Sequence, residues 1–178
     1  MWVQSLRVAD NGEWVSGDGD IRANPDLVLL FGPTDRLKQS PAPAALARLH
    51  PGAIQIGCSS GTSLDGMHLN DDRLTAVSIG FAHTRVRLAI NALSDPSHSA
   101  EVGRAIGRDL HAPDLAAVFV LSEGLGINGS KLAEGLVAAC GPKVAVSGGL
   151  AGDGARFSNT LVTVGGESAS GIVAAVGF

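Results

Sequence analysis

Residues 114–154 read DLAAVFVLSEGLGINGSKLAEGLVAACGPKVAVSGGLAGDG, and few architectures accommodate such a run. Residues 114–121 are apolar and bounded by Pro113 and by Ser122-Glu123-Gly124, the length and punctuation of a buried strand. Gly124-Leu125-Gly126-Ile127-Asn128-Gly129 follows, and then Leu132, Leu136 and Cys140 recur at the spacing of one helix face. Gly141-Pro142 stops the helix, since glycine caps a C-terminus at little cost and proline cannot continue it. Residues 143–147 read as a second apolar strand, emptying into the loop Gly148-Gly149-Leu150-Ala151-Gly152-Asp153-Gly154. Two parallel strands joined by a helix bring both glycine loops to one sheet edge, where open α/β sheets bind ligands.

Composition narrows the class of protein. A chain of 178 residues with 45% apolar and 17% charged residues is most simply one domain, 1–178, with a buried core. The 24 glycines have no fixed period, which excludes collagen-like and repeat architectures. A net charge of −4, scattered basic residues and the absence of Tyr argue against a nucleic-acid partner or an anionic membrane surface. No apolar run has the length of a membrane span, and the N-terminus lacks the pattern of a signal peptide, so a cytoplasmic protein is expected. Cys58 and Cys140 make no disulfide framework, and Cys140 sits on the apolar helix face as a small core residue.

Along the rest of the chain, residues 1–8 read as a strand, and 11–14 and 17–20 as turns. The Asp-Gly-Asp cluster of the second turn lacks the further oxygen ligands of a calcium loop. Residues 27–31 form an apolar strand broken by Gly32-Pro33-Thr34-Asp35. Ser40-Pro41 starts a helix with Ala45, Leu46 and Leu49 on its apolar side, and 53–57 is a strand that delivers the polar loop 58–63. Residues 74–81 and 85–90 both alternate, around Ala82-His83-Thr84, as a hairpin would. Val86, Leu88 and Ile90 fall on one face of the second strand. Residues 99–110 carry Val102, Ile106 and Leu110 on one helix face, with Ser97 or Ser99 as cap. Residues 160–164 and 172–178 read as a second hairpin around 165–171. The expectation is an α/β or α+β layered domain with a mixed sheet, two hairpins and about three flanking helices. A buried apolar strand at the chain end belongs either inside the sheet or to a fragment of something longer.

Several motifs match only in part. Gly124-x-Gly126-x-x-Gly129 has the spacing of a dinucleotide loop between strand and helix, but Ser147-Gly148-Gly149 stands where the ribose-binding acid belongs. The alternative is a tight strand–helix connection that uses glycine for its backbone freedom. The same loop fails as a P-loop because Ser130 precedes Lys131. Gly57-Cys58-Ser59-Ser60-Gly61 has the letters of a nucleophile elbow, without the helix that must follow or an evident histidine base; Cys58 likewise lacks a placed base. His50, His68, His83, His98 and His111 are dispersed and without zinc spacing. A haem-ligating histidine needs no pair, so haem stays open as a ligand. Asp153 reads equally as a turn former and as a partner for a cationic group.

Taken together, Ser122-Glu123-Gly124, Asn128-Gly129, the run 148–154, Arg156-Phe157 and Thr160 resemble the N-terminal domain of the FIST family. So do 26–31, Ile56-Gly57-Cys58-Ser59 and Val176-Gly177-Phe178, giving a resemblance over about 26–178. The chain departs from the family pattern in its turn-rich first 25 residues, at Ser60-Gly61-Thr62-Ser63 and at Glu123. The family's C-terminal domain has no counterpart in it. The resemblance implies a bacterial or archaeal sensory domain of a signal-transduction system, non-enzymatic, binding a small ligand such as an amino acid, with some members linked to haem and nitric oxide. Its partners would be that ligand and either a signalling output protein or a C-terminal domain, with homo-oligomers open. The expected site is Cys58, Ser59, Ser122, Asn128 and Asp153 as polar contacts, with Gly149 and Gly152 permitting close backbone approach. The competing classes are a Ser59 or Cys58 hydrolase, a nucleotide-using protein, and an interaction module that binds no small molecule.

Overall fold

Strands outnumber helices because the chain is built from short apolar runs cut by glycine. The computed structural model describes residues 1–17, 19–65 and 68–178. Strands β1 (Trp2–Val8), β2 (Trp14–Ser16) and β3 (Leu27–Gly32) come first, then helices α1 (Thr34–Gln39) and α2 (Ala42–Leu49). Next are β4 (Ile54–Ser59), β5 (Ser63–Asp65), β6 (His68–Asn70), β7 (Thr75–Gly80) and β8 (Arg87–Ala92). A 3-10 turn, Pro96–His98, leads into α3 (Ser99–Asp109), β9 (Ala117–Ser122), α4 (Gly129–Cys140) and β10 (Ala145–Leu150). The chain closes with β11 (Val162–Val164), β12 (Glu167–Ala169) and β13 (Ile172–Gly177). Asp18 of the expected turn 17–20 and Gly66 of the loop after Ser63 lie outside the described residues.

Two mixed sheets result. One runs β12-β11-β4-β3-β7-β1-β2 and the other β10-β9-β13-β8, while β5 and β6 pair by themselves. β3 lies parallel to β4 and β9 parallel to β10, and each parallel pair is bridged by helix, as parallel strands require.

Hydrophobic clusters show how the layers stack. Leu37, Ala42 and Leu46 of the first two helices pack on Leu6, Val28, Leu30, Leu74 and Ala76 of the larger sheet. Val102, Ile106, Leu110, Leu132 and Leu136 of α3 and α4 pack on Val118, Val120, Val173 and Ala175 of the smaller one. The sheets meet through Leu27, Ile56, Cys58 and Val162 on one side and Leu121, Ala174 and Val176 on the other. The order is helices, sheet, sheet, helices. β3 is therefore apolar at every position: Leu27, Leu29 and Phe31 turn to the other sheet, Val28 and Leu30 to the helices.

The layered mixed α/β class expected from sequence stands; the strand partners differ. β7 pairs with β1 and β3, whereas β8 pairs with β13 in the other sheet, so 74–90 is no hairpin. Residues 81–86 instead cross between sheets, with Phe81 and Val86 packed in the inter-sheet core and Phe81 edge-on to Phe178 at 5.8 Å. β11 pairs with β12 and β4, and β13 lies between β9 and β8, so 160–178 is not one hairpin either. The crossing there is made at Gly171, whose φ of +65° favours glycine. The closing strand thus lies inside a sheet. On β8, Ala89 is the core residue, while Leu88 and Ile90 are 37% and 46% exposed. Four α-helices occur among the described residues, α1 having replaced part of an expected loop. Ser40 precedes α2 and its hydroxyl accepts from the Ala42 N–H, but Pro41 holds the cap position. Leu49, expected on the apolar side of α2, is exposed. Ser97 and Ser99 do not cap α3; His98 stands there, and Ser99 donates to the Pro96 carbonyl.

Candidate functional site

Parallel order brings the carboxyl ends of β9 and β10 to one edge of the smaller sheet, and the carboxyl end of β4 in the larger sheet meets them there. Ser59 is the knot. Its N–H donates to the Leu161 carbonyl at 2.8 Å, its hydroxyl accepts the Leu161 N–H at 2.9 Å, and its carbonyl accepts the Gly152 N–H at 2.9 Å. From β9, the Ser122 carbonyl accepts the Ala151 N–H at 2.7 Å, and the Gly124 N–H donates to the Thr160 hydroxyl at 2.8 Å. A Cβ on Gly124 would overlap the Ala151 carbonyl oxygen, so glycine is needed here for close packing between loops.

Two carboxylates organise these loops from within. The Glu123 carboxylate accepts the N–H groups of Leu125 and Gly126 and the Thr160 hydroxyl, and the residue is only 6% exposed. It thus takes up loop N–H groups of the kind that a dinucleotide loop turns toward phosphate. The Asp153 carboxylate accepts the N–H groups of Phe157, Ser158 and Asn159, each at 2.9 Å, and the Ser158 hydroxyl. The Asn159 N–H above all, then that of Ser158, holds its carboxyl below the usual carboxylate range. Of the two readings open for Asp153, the turn former is what its hydrogen bonds describe.

Beside this knot the two sheets part beneath β10 and leave a cleft of about 370 Å³. Cys58, Ser59, Gly149 and Gly152, expected at the site, all border it, together with Phe31 and Phe119, which sequence reasoning had not singled out. Gly149 pairs with Leu121, an inter-sheet residue, so its missing side chain is on the cleft side, and a Cβ there would meet nothing within 4 Å. A Cβ on Gly152 would have only the Gly61 nitrogen nearby, at 3.8 Å. Both glycines leave room for a ligand.

Three expected residues are placed otherwise. Ser122 pairs with Val173 of the helix-side cluster, so its side chain faces away from the cleft; its hydroxyl is buried and without a partner. Asn128 caps α4, accepting the Lys131 N–H at 3.1 Å, and does not border the cleft. Asp153 is committed to its own loop. Sequence alone carried a signal for Glu123, an acid just before a glycine loop whose N–H groups it can reach, and for Phe119, which alternates with the inward Leu121.

The chemistry of the cleft is neutral. Among its bordering residues only Cys58 is ionisable, and burial pushes that thiol up to about 12. A protonated thiol is a poor nucleophile. The Ser59 hydroxyl, bonded to a backbone N–H inside a strand and 1% exposed, is held as a structural clamp. Among the described residues the cleft offers haem no axial ligand: His50, His83, His98 and His111 do not border it, and burial pushes the Cys58 thiol up to about 12. The His68 side chain lies outside the described residues. No group of three or more candidate metal ligands occurs among the described residues, and none of their helices is long and apolar enough to cross a membrane.

A family model described as the FIST N domain matches residues 26–178. No curated protein and no solved structure matches the chain. The matched span holds both strand–helix–strand units, the knot at Ser59 and the whole smaller sheet, and on it the chain belongs to the FIST N family, a family of signal-transduction sensory domains.

Proposed function

We propose that this chain senses a small uncharged ligand held between its two sheets, in the cleft under β10. The observation that carries the reading is the neutral cleft at the strand carboxyl ends, with aromatic walls at Phe31 and Phe119 and an open glycine flank at Gly149. Open α/β sheets bind ligands at such ends. A free amino acid would bring two charges with no counter-charge among the bordering residues, so the chemistry favours an apolar body with one or two hydrogen-bonding groups. The cleft lies where both sheets and the 151–161 loop are tied together, so a ligand that fits one spacing of the sheets better than another would bias their equilibrium.

The test is thermal unfolding against neutral aromatic amides and alcohols, free amino acids and haem, for the wild type and Gly149→Leu. A ligand present at a hundredfold excess over its Kd stabilises the native state by about 2.7 kcal/mol. The expected result is a shift with a neutral aromatic ligand in the wild type and none in Gly149→Leu, whose side chain occupies the cleft. A shift that persists in Gly149→Leu, or one given only by charged amino acids, overturns the reading.

A further inference from the structure

β10 is an edge strand with its hydrogen-bonding side open. No strand among the described residues pairs with it beyond β9. The Ala145 N–H donates to the Ala116 carbonyl and the Ala151 N–H to the Ser122 carbonyl. Those bonds, six residues apart, set the parity of the strand. Odd-numbered residues bond to β9, so Val146, Gly148 and Leu150 turn their N–H and C=O groups to the open edge.

Nothing blunts that edge. Its sequence, Ala-Val-Ser-Gly-Gly-Leu, has no charge and no proline, the devices that usually prevent strand addition. Every residue of it except Val146 is exposed, Leu150 by 50%. The strand is also pressed close to β9, since a Cβ on Gly148 would overlap the Val120 carbonyl oxygen. Its two faces each border a cavity. On the helix side, Leu132, Ala133 and Leu136 of α4 with Val146 and Leu150 bound about 390 Å³. On the other side is the inter-sheet cleft of about 370 Å³. No Asp, Glu, Lys, Arg or His borders either one.

We infer that β10 accepts an extended, uncharged segment of another polypeptide as a fifth strand of the smaller sheet, with alternate uncharged side chains entering the two cavities. Strand addition matches each feature: main-chain groups at every second residue give the attachment, and pockets on alternate faces receive alternate side chains. A second copy of this chain fits worse. Two β10 strands paired about a twofold axis would each present Ala145, Ser147 and Gly149 to the inner face, and these are too small to fill the cleft. An added strand would place its inner-face side chains in the cleft proposed for the small ligand, so peptide and ligand would exclude one another there, while the open edge and the helix-side groove hold whether or not such a ligand exists.

The probe is a blocked, fluorescein-labelled eight-residue peptide alternating valine and threonine, compared with forms N-methylated at every second amide and at every amide. The half-methylated form keeps one bonding edge and is expected to bind; the fully methylated form, more apolar still, is expected to bind at least tenfold more weakly. Bound peptide should slow amide exchange at Val146, Gly148 and Leu150. Val146→Pro removes an outward N–H without touching the β9 ladder and should weaken binding at least tenfold. Leu150→Lys serves as an independent edge variant with the same expected loss should the proline variant not fold. Absence of peptide binding, equal binding of the fully methylated peptide, or exchange protection elsewhere overturns the inference. Protection of those three amides that rises with protein concentration without peptide would overturn it in favour of self-association.

Discussion

The Glu123→Ala variant separates a nucleotide loop from a loop that closes on its own side chain. In the wild type the Glu123 carboxylate accepts two loop N–H groups and the Thr160 hydroxyl, and the side chain is nearly buried. Hydrogen bonds to a charged group contribute about 1.5–3 kcal/mol each, and Leu125 and Gly126 sit partly in water that replaces some of the loss. A total cost of about 2–3 kcal/mol follows, and at about 2–4 °C per kcal/mol for a chain of this size the Tm should fall by about 4–12 °C. The truncation also leaves two N–H groups converging on an empty spot one turn from the start of α4, which is the geometry of an anion site. Inorganic phosphate should therefore raise the Tm of the variant, by about 2.7 kcal/mol at a hundredfold excess over its Kd, and leave the wild type unchanged. Differential scanning calorimetry with and without phosphate reads both effects. Equal stabilisation of wild type and variant would show that the loop already accepts anions. A variant as stable as the wild type would show that the carboxylate does not hold the loop.

Three further outcomes follow from the titrating groups. With its thiol pushed up to about 12 from an ordinary 9.0, Cys58 should react with a maleimide at pH 8 about a thousandfold more slowly in the native chain than after unfolding, measured by mass spectrometry. Asp153 has a carboxyl depressed by backbone N–H donors, so its contribution is complete above the ordinary value of 3.8 and is lost as pH falls through the lower folded value. Asp153→Asn should flatten that acid limb of the urea midpoint below pH 4. His50 is 5% exposed with both ring nitrogens buried and unpartnered, and burial lowers its folded pKa below 6.5. Stability should be complete above pH 6.5 and decline as pH falls below it, because the unfolded chain then binds the proton first; His50→Leu should remove that decline, despite the exposed Arg48 and Glu167 beside the same cavity.

Local structure was legible in the sequence wherever periodicity met clear punctuation. Leu132, Leu136 and Cys140 lie buried on one face of α4 between an Asn128 cap and Gly141, as their spacing required. The parallel pairing of β9 and β10 also followed from the intervening helix. Partnership between strands was not legible. Along β7 and the residues flanking it, Leu74 and Ala76 pack toward helices while Ile79 and Phe81 pack toward the second sheet. A strand buried on both faces has no polar side, so its alternation says nothing about which sheet holds it. The short link between 81 and 86 then looks like a turn, although it changes sheets. Glycine misled in a similar way at the end of β10: Gly148-Gly149-Leu150 reads as loop by composition, yet it continues the strand, because only glycine lets the backbone approach Val120 so closely.

The glycine loops resembled ligand cradles for a physical reason, and the same reason explains why the structure closes them. A phosphate loop needs several N–H groups aimed at one point, and glycine allows the backbone to aim them. An acidic side chain adjacent to such a loop reaches the same point. Glu123 stands directly before Gly124 and collects the N–H groups two and three residues on. Asp153 stands between Gly152 and Gly154 and collects those four to six residues on. The negative charge that a nucleotide would supply is thus covalently present, twice, and a diffusible anion would have to compete with it for these N–H groups. What stays open is the space between these two closed loops, where the strand ends carry Gly149, Cys58 and the aromatic rings of Phe31 and Phe119 with no charge. An acid next to a G-x-G pattern is therefore a sequence signal against phosphate binding, and in this chain it directs the search for a ligand away from the loops and into the gap between the sheets.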